Sequence, residues 1–138
     1  MTASTLLWPR IAFSLLFVVV TYLTLTPNPE DAKSGFAVTR WVAQILFGNP
    51  ALADKVAHFA AYGALGAAAA WAQLALLSKR RITALALALY GVLLEVLQGI
   101  GGVRSPEVAD AVANALGAVA GLGGAIMLAR LARRFRKA

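Results

Sequence analysis

The stretch that decides the fold is residues 54–77, which read DKVAHFAAYGALGAAAAWAQLALL. After the polar residues at its beginning, it is apolar and rich in alanine. At about 1.5 Å per residue, a helix of this length covers the roughly 30 Å hydrocarbon core of a bilayer. Similar runs lie at about 9–27, 82–100 and 109–131. The sequence therefore predicts an all-α integral membrane protein, a four-helix bundle in one domain spanning residues 1–138.

The composition favours a membrane protein over a soluble one. Hydrophobic residues make up 60% of the chain, charged residues only 14%, and the mean hydropathy is +0.74. A soluble domain carries about a quarter charged residues, so this chain has too few charges for a soluble surface. The same numbers exclude disorder and collagen-like repeats. The lack of cysteine excludes a disulfide framework and thiolate chemistry.

The first apolar run, about residues 9–27, has two interpretations. Trp8 and Pro9 introduce it. Proline fits a first helical turn and tryptophan suits a membrane interface, which favours a spanning helix. The alternative is a cleaved signal peptide, but no small-x-small cleavage pattern follows and the run is long for a signal. We therefore expect a span.

The only long connection between predicted spans is an outer loop, residues 28–53. Within it, a segment at about 36–47 carries apolar residues at helical spacing but is too short and too interrupted to span. These residues are Val38, Trp41, Val42, Ile45 and Leu46. We expect an amphipathic helix lying in the interface. A lid packed on the bundle, without a lipid role, is an equal alternative.

Charge placement predicts the orientation. Nine basic residues lie at one end of the predicted spans with no acid, whereas all six acids lie at the other end with four bases. The positive-inside rule places the first set, and both termini, in the cytoplasm. We therefore expect a multi-pass protein of the cytoplasmic (inner) membrane, and no nucleic-acid partner because the bases flank spans without aromatic interleaving. The nine are Arg10, Lys79, Arg80, Arg81, Arg130, Arg133, Arg134, Arg136 and Lys137.

Polar residues on three predicted helices lie at one depth, near the outer ends. They recur three or four positions apart, so each set shares a helix face. An ionisable side chain facing lipid costs about 2.5–3.5 kcal/mol at the helix centre, so we expect these groups to turn inward and meet. The predicted binding residues are Asp54, Lys55, His58 and Tyr62 on the second helix, Glu95 and Gln98 on the third, Arg104 in the next loop, and Asp110 and Asn114 on the fourth.

Small residues follow the same faces. Ala113, Gly117, Gly121 and Ala125 form a stripe on the fourth helix, and Gly66 with Ala70 forms one on the second. Such stripes let helices approach closely in membranes. The stripe serves either packing within the chain or a homo-oligomer.

These residues resemble the signature of VanZ-like membrane proteins. Residues 54–66 match D-K-x-x-H-F-x-x-Y-x-x-L-G, residues 95–98 match E-x-x-Q, and residues 104–117 match R-x5-D-x3-N-x2-G. The resemblance covers residues 54–121. It implies a small multi-spanning membrane protein of the cell envelope. The family is named for a protein associated with resistance to the glycopeptide teicoplanin, so glycopeptide tolerance is an implied link.

The favoured functional hypothesis is a binding or accessory protein rather than an enzyme. An outward-facing pocket would engage an anionic envelope molecule, such as a lipid-linked phosphate, a peptidoglycan precursor or a lipid head group. Lys55, Arg104 and a protonatable His58 would meet the anion, because fixed cations in a partly dry site attract phosphate strongly. We expect no cofactor and no resident metal.

Three alternatives remain. An intramembrane hydrolase or transferase would use His58 and Glu95 as base and acid, but Ser105 lacks an activating context as nucleophile. A metal-dependent version would use His58, Glu95 and Asp110, an unselective ligand set. A transporter is disfavoured because the polar residues occupy only the outer half, and the cluster could also be purely structural.

Overall fold

The computed structural model describes residues 3–26, 32–102, 105 and 107–136. These residues form five α-helices and no strand, which confirms the predicted all-α class for this part of the chain. The helices are α1 (Leu7–Leu25), α2 (Ala32–Phe47), α3 (Ala53–Trp71), α4 (Arg80–Ile100) and α5 (Val108–Phe135). Short 3-10 helices lie at Ala3–Leu6, Pro50–Leu52 and Leu76–Ser78.

Three of these helices, α1, α4 and α5, are long and apolar enough to cross a membrane by length and composition. Their large side chains face outward, among them Leu15, Leu89 and Leu116, each more than half exposed. Contiguous exposed apolar surface of this kind is typical of a membrane-facing protein. Helix α3, predicted as a fourth span, is not among the three, because the polar residues of its first two turns lower its hydropathy.

Helices α3 and α5 make the closest contact in the molecule. A Cβ atom added at Gly66 would collide with the backbone oxygen of Ala118, and one at Gly121 would collide with the backbone of Gly63. Gly117 faces the backbone of Phe59 in the same way. The small-residue stripe therefore serves packing within the chain. Because successive residues of α3 meet successive residues of α5, the two helices run parallel.

Helix α4 pairs with α1 on the other side of the bundle. Thr21 and Tyr90 are hydrogen-bonded through their hydroxyls, and the ring of Tyr90 stacks on Phe17 with centroids 4.4 Å apart. Further along both helices, Gln98 Nε2 donates to the backbone oxygen of Thr24 at 2.6 Å. These contacts make α1 parallel to α4. Both run opposite to α3 and α5, so the four helices alternate in direction along the chain.

Helix α3 ends six residues before the predicted boundary at residue 77. Gln73 takes a left-handed conformation with φ 54°, and Leu74 N–H donates to the oxygen of Ala69. This is the bonding of a helix C-cap, which glycine usually provides. The Thr83 hydroxyl of α4 stabilises the segment that connects α3 to α4. It donates to Leu74 O and accepts from Leu76 N–H. No glycine or proline lies in this stretch, so the helix end carries no local signal in the sequence.

The core between the helices is apolar. Its buried side chains come from four helices: Val20, Tyr62, Leu65, Ala69, Ala70, Ala84, Leu87, Ala118 and Leu122. Tyr62 lies at the top of this core and marks the boundary with the polar residues above it.

The glycine contact predicts a matched pair of substitutions. Gly121→Ala should destabilise the protein by about 1–3 kcal/mol, because the added carbon has no space and the helices must separate. Gly123→Ala, two residues away, meets nothing within 4 Å and should be neutral or stabilising by about 0.5–1 kcal/mol. Thermal unfolding in detergent measures both. Equal effects would contradict the packing described for α3 and α5.

Candidate functional site

The parallel pairing of α3 and α5 brings their first two turns side by side. Asp54 and His58, one turn apart on α3, face Asp110 and Asn114, one turn apart on α5. Glu95 of α4 closes the third side, near the His58 ring. Asp110, Asn114 and Glu95 are buried. The predicted convergence of polar residues from three helices is therefore present in the structure; we call it the polar cluster.

Lys55 is held by three carboxylates. Its Nζ lies 2.7 Å from Asp110 Oδ1 and 3.1 Å from Asp54 Oδ2, and it also pairs with Glu107. The side chains of Asp110 and Glu107 differ in exposure, at 1% and 46%. The ammonium group thus links the buried part of the cluster to its exposed edge, and its charge is already engaged.

His58 lies at the centre of the cluster with partners on both ring nitrogens. Nδ1 is 3.1 Å from Asn114 Oδ1 and 3.7 Å from Glu95 Oε1. Nε2 is 3.7 Å from Asp54 Oδ1 and 3.8 Å from Asp110 Oδ2. The distances from Nε2 exceed a direct hydrogen bond. An amide oxygen only accepts, so Asn114 Oδ1 fixes the proton on Nδ1.

Two buried polar atoms next to His58 have no hydrogen-bond partner among the described residues, Tyr62 Oη and Asn114 Nδ2. Both side chains pack against Gly91 of α4, where an added Cβ would lie 2.7 Å from Asn114 Cβ and 3.1 Å from the Tyr62 ring. A buried group without a partner costs about 1–3 kcal/mol. These two atoms are therefore available to hydrogen-bond a ligand.

Not every predicted residue joins the cluster. Gln98 donates to Thr24 and so pairs α4 with α1. Arg104 lies outside the described residues. Ser105 is exposed and makes no hydrogen bond or ion pair within the described part of the chain.

Sequence reasoning missed two contributors. Glu107 pairs with Lys55, and its position three residues before Asp110, on the same helix face, was the available signal. Gly91 gives Tyr62 and Asn114 the space to approach, and an isolated glycine inside an apolar helical run was the available signal there.

The helices and the polar cluster together define a class: a small, all-helical, membrane-compatible protein with ionisable residues collected at one end of its bundle. The chain belongs to the VanZ/LLP1 family, whose model matches residues 11–130. This confirms the resemblance to VanZ-like proteins and extends it from residues 54–121 to most of the chain. Comparisons with curated proteins and with solved structures found no match.

The Lys55 network predicts unequal costs for two substitutions. Lys55→Met leaves buried Asp110 without its cation and should destabilise the protein by about 2–4 kcal/mol. Glu107→Gln removes an exposed partner and should cost less than about 1 kcal/mol. Thermal unfolding of both variants in detergent gives the comparison. A Glu107→Gln cost as large as that of Lys55→Met would contradict the assignment of Asp110 as the main partner.

Proposed function

We propose that the chain is a four-span protein of the cytoplasmic membrane with both termini in the cytoplasm. The alternating directions of α1, α3, α4 and α5 support this topology, since successive spans must alternate. With the basic residues of the α3–α4 connection and of the end of α5 at one end of the bundle, the polar cluster faces the outer side. Helix α3 is the fourth span, with its polar first turns partnered inside the bundle.

Helix α2 is the interfacial element of this arrangement. Among residues 37–47 of α2, Ala43 is the only buried one, whereas Val38, Trp41, Ile45 and Leu46 are each more than 60% exposed. A lid would bury these side chains against the bundle. Their exposure supports the alternative in which they enter the lipid interface.

The topology predicts an asymmetric labelling pattern. The chain has no cysteine. A single introduced cysteine is therefore the only thiol in the protein, and its labelling reports the side of the membrane on which that position lies. Ser105→Cys should react with a membrane-impermeant maleimide added to intact spheroplasts, whereas Ser78→Cys should react only after permeabilisation. Both residues are exposed, so accessibility to the reagent decides the outcome. The reverse pattern would place the polar cluster on the cytoplasmic side.

We infer that the polar cluster binds the head group of an anionic envelope molecule, such as a lipid-linked phosphate or a peptidoglycan precursor. The observation that carries this is the pair of buried, unpartnered polar atoms, Tyr62 Oη and Asn114 Nδ2, in a cluster that also contains the Lys55 ammonium. Glu107 and Ser105 are exposed at the same end. If the ligand is a peptidoglycan precursor, this binding would link the chain to teicoplanin tolerance.

The charge of the cluster limits how an anion can bind. Asp54, Glu95, Glu107 and Asp110 outnumber Lys55, whose ammonium already pairs with three of them. A bare phosphate would meet more negative than positive charge. The anion therefore needs further positive charge, from Arg104 or from a bound cation.

Binding is tested with a short-chain polyprenyl phosphate added to the protein in phosphatidylcholine nanodiscs. Lys55→Gln should weaken the affinity about tenfold or more, because a hydrogen bond to a charged group contributes about 1.5–3 kcal/mol. Arg104→Gln should act in the same direction. Lys79→Gln, an exposed cation at the far end of α4, is the matched control and should leave affinity unchanged. If affinity survives both of the first two changes, the proposed ligand is wrong.

The enzymatic alternative rests on the 3.7 Å approach of Glu95 to His58, which suits an acid–base pair. A hydrolase or transferase also needs a nucleophile in reach of that pair. Ser105 makes no contact with it in the described part of the chain, so binding is the better-supported function.

A further inference from the structure

Three side chains from two helices direct one atom each to a common point in the polar cluster. His58 Nε2 lies 3.7 Å from Asp54 Oδ1 and 3.8 Å from Asp110 Oδ2. The three side chains together can present one nitrogen and two carboxylate oxygens that all lie within 4.8 Å of one another. Two of these residues are one turn apart on α3, and the third comes from α5 across the glycine contact.

In the neutral imidazole, a proton on Nδ1 of His58 leaves Nε2 as an acceptor. With Nδ1 donating to Asn114 Oδ1 at 3.1 Å, the lone pair of Nε2 faces two carboxylate oxygens. In this form the three atoms, one imidazole nitrogen and two carboxylate oxygens, match a donor set that divalent metal ions accept. A histidine that binds a metal through one nitrogen usually has its other nitrogen hydrogen-bonded to a carboxylate, a carbonyl or water, which fixes the ring. Asn114, fully buried on α5, fixes the ring in this way.

Lys55 contacts the same two carboxylates on their other side. It binds the opposite oxygens of the same two carboxylates, Asp54 Oδ2 and Asp110 Oδ1. Each carboxylate thus has one oxygen toward Lys55 and the other toward His58. The ammonium bonds the oxygens that face away from His58 and so orients both carboxylates. Ligating carboxylates in metal sites are oriented in the same way by hydrogen bonds from residues that do not contact the metal.

We propose that Asp54 Oδ1, His58 Nε2 and Asp110 Oδ2 bind a divalent cation of the zinc–manganese class. Bonds of about 2.0–2.2 Å place ligand atoms about 3.0–3.4 Å apart in tetrahedral or octahedral geometry. The two observed distances from Nε2, 3.7 and 3.8 Å, need to shorten by about 0.3–0.8 Å. A ligand set of one imidazole and two carboxylates suits zinc or manganese and does not demand either.

This site differs from the ligand set considered from the sequence. Glu95 was considered as a ligand, but it lies on the Nδ1 side of the ring, 3.7 Å from that nitrogen. Asp54 is the residue that faces Nε2. The inference also departs from the expectation of no resident metal. The role of the ion rests on the proposed function, since it supplies the positive charge that an anionic head group requires. Binding of the ion itself depends only on the three side chains.

The test uses the purified full chain in detergent, treated with chelator, returned to metal-free buffer and titrated with zinc or manganese chloride alone. One ion should bind per chain. His58→Gln and Asp54→Asn should each weaken binding tenfold or more. Glu107→Gln is the matched control, because it removes one negative charge from the same cluster without removing an atom that faces His58. It should change the affinity less than threefold.

A spectroscopic experiment tests directly whether the side chain at position 58 binds the metal, without a comparison of affinities. Cobalt(II) added to the His58→Cys variant should produce a thiolate-to-cobalt charge-transfer band in the near ultraviolet. The wild-type chain, which has no cysteine, cannot produce this band. Thermal unfolding of each variant, measured without metal, shows that the protein remains folded.

The results separate the metal site from the proposed function. The inference is overturned if the wild type binds no stoichiometric ion, or if His58→Gln binds as well as the wild type. If polyprenyl phosphate binds equally with and without chelator, the role given to the ion in anion binding is wrong, and the anion-binding function remains intact. If the ion binds but the phosphate does not, the metal site stands and the proposed ligand fails.

Discussion

The backbone contact between α3 and α5 is the constraint on which the rest of the structure depends. Gly63 and Gly66 meet Gly117, Gly121 and Ala118 with no side chain between them. In lipid, helices gain little from apolar burial and associate through close packing of small residues. This contact fixes the separation and register of the two helices, so Asp54 lies opposite Asp110 and His58 opposite Asn114.

Much of the fold and cluster could be predicted because their signals are local. Polar residues four positions apart in an apolar helix must share a face and turn inward, and this rule alone brings His58 and Asn114 into the interior of the bundle. Other features depend on contacts between distant segments. The end of α3 is set by Gln73 in a conformation that its sequence does not favour, and Gln98 pairs with Thr24 of α1 rather than with the cluster.

The sequence did not reveal which charges pair with one another. Lys55 was predicted to meet an anionic ligand, and the structure shows that it also pairs with Asp54, Glu107 and Asp110. A count of charges along the chain cannot reveal this, because the pairing depends on distances between helices. The result changes the electrostatic character of the site: among the described residues it is rich in carboxylates, and its cation has a structural task.

The parallel arrangement of α3 and α5 also orders the events of synthesis. Helix α3 leaves the ribosome before α4 and α5, so Asp54, Lys55 and His58 enter the membrane before Asp110 and Asn114 exist. The neighbouring Asp54 and Lys55, 3.1 Å apart, can neutralise each other at that stage. His58 gains Asn114 and Asp110 as neighbours only when α5 packs beside α3. A nascent chain that stops before α5 therefore lacks Asp110 and Asn114, and its polar cluster is incomplete.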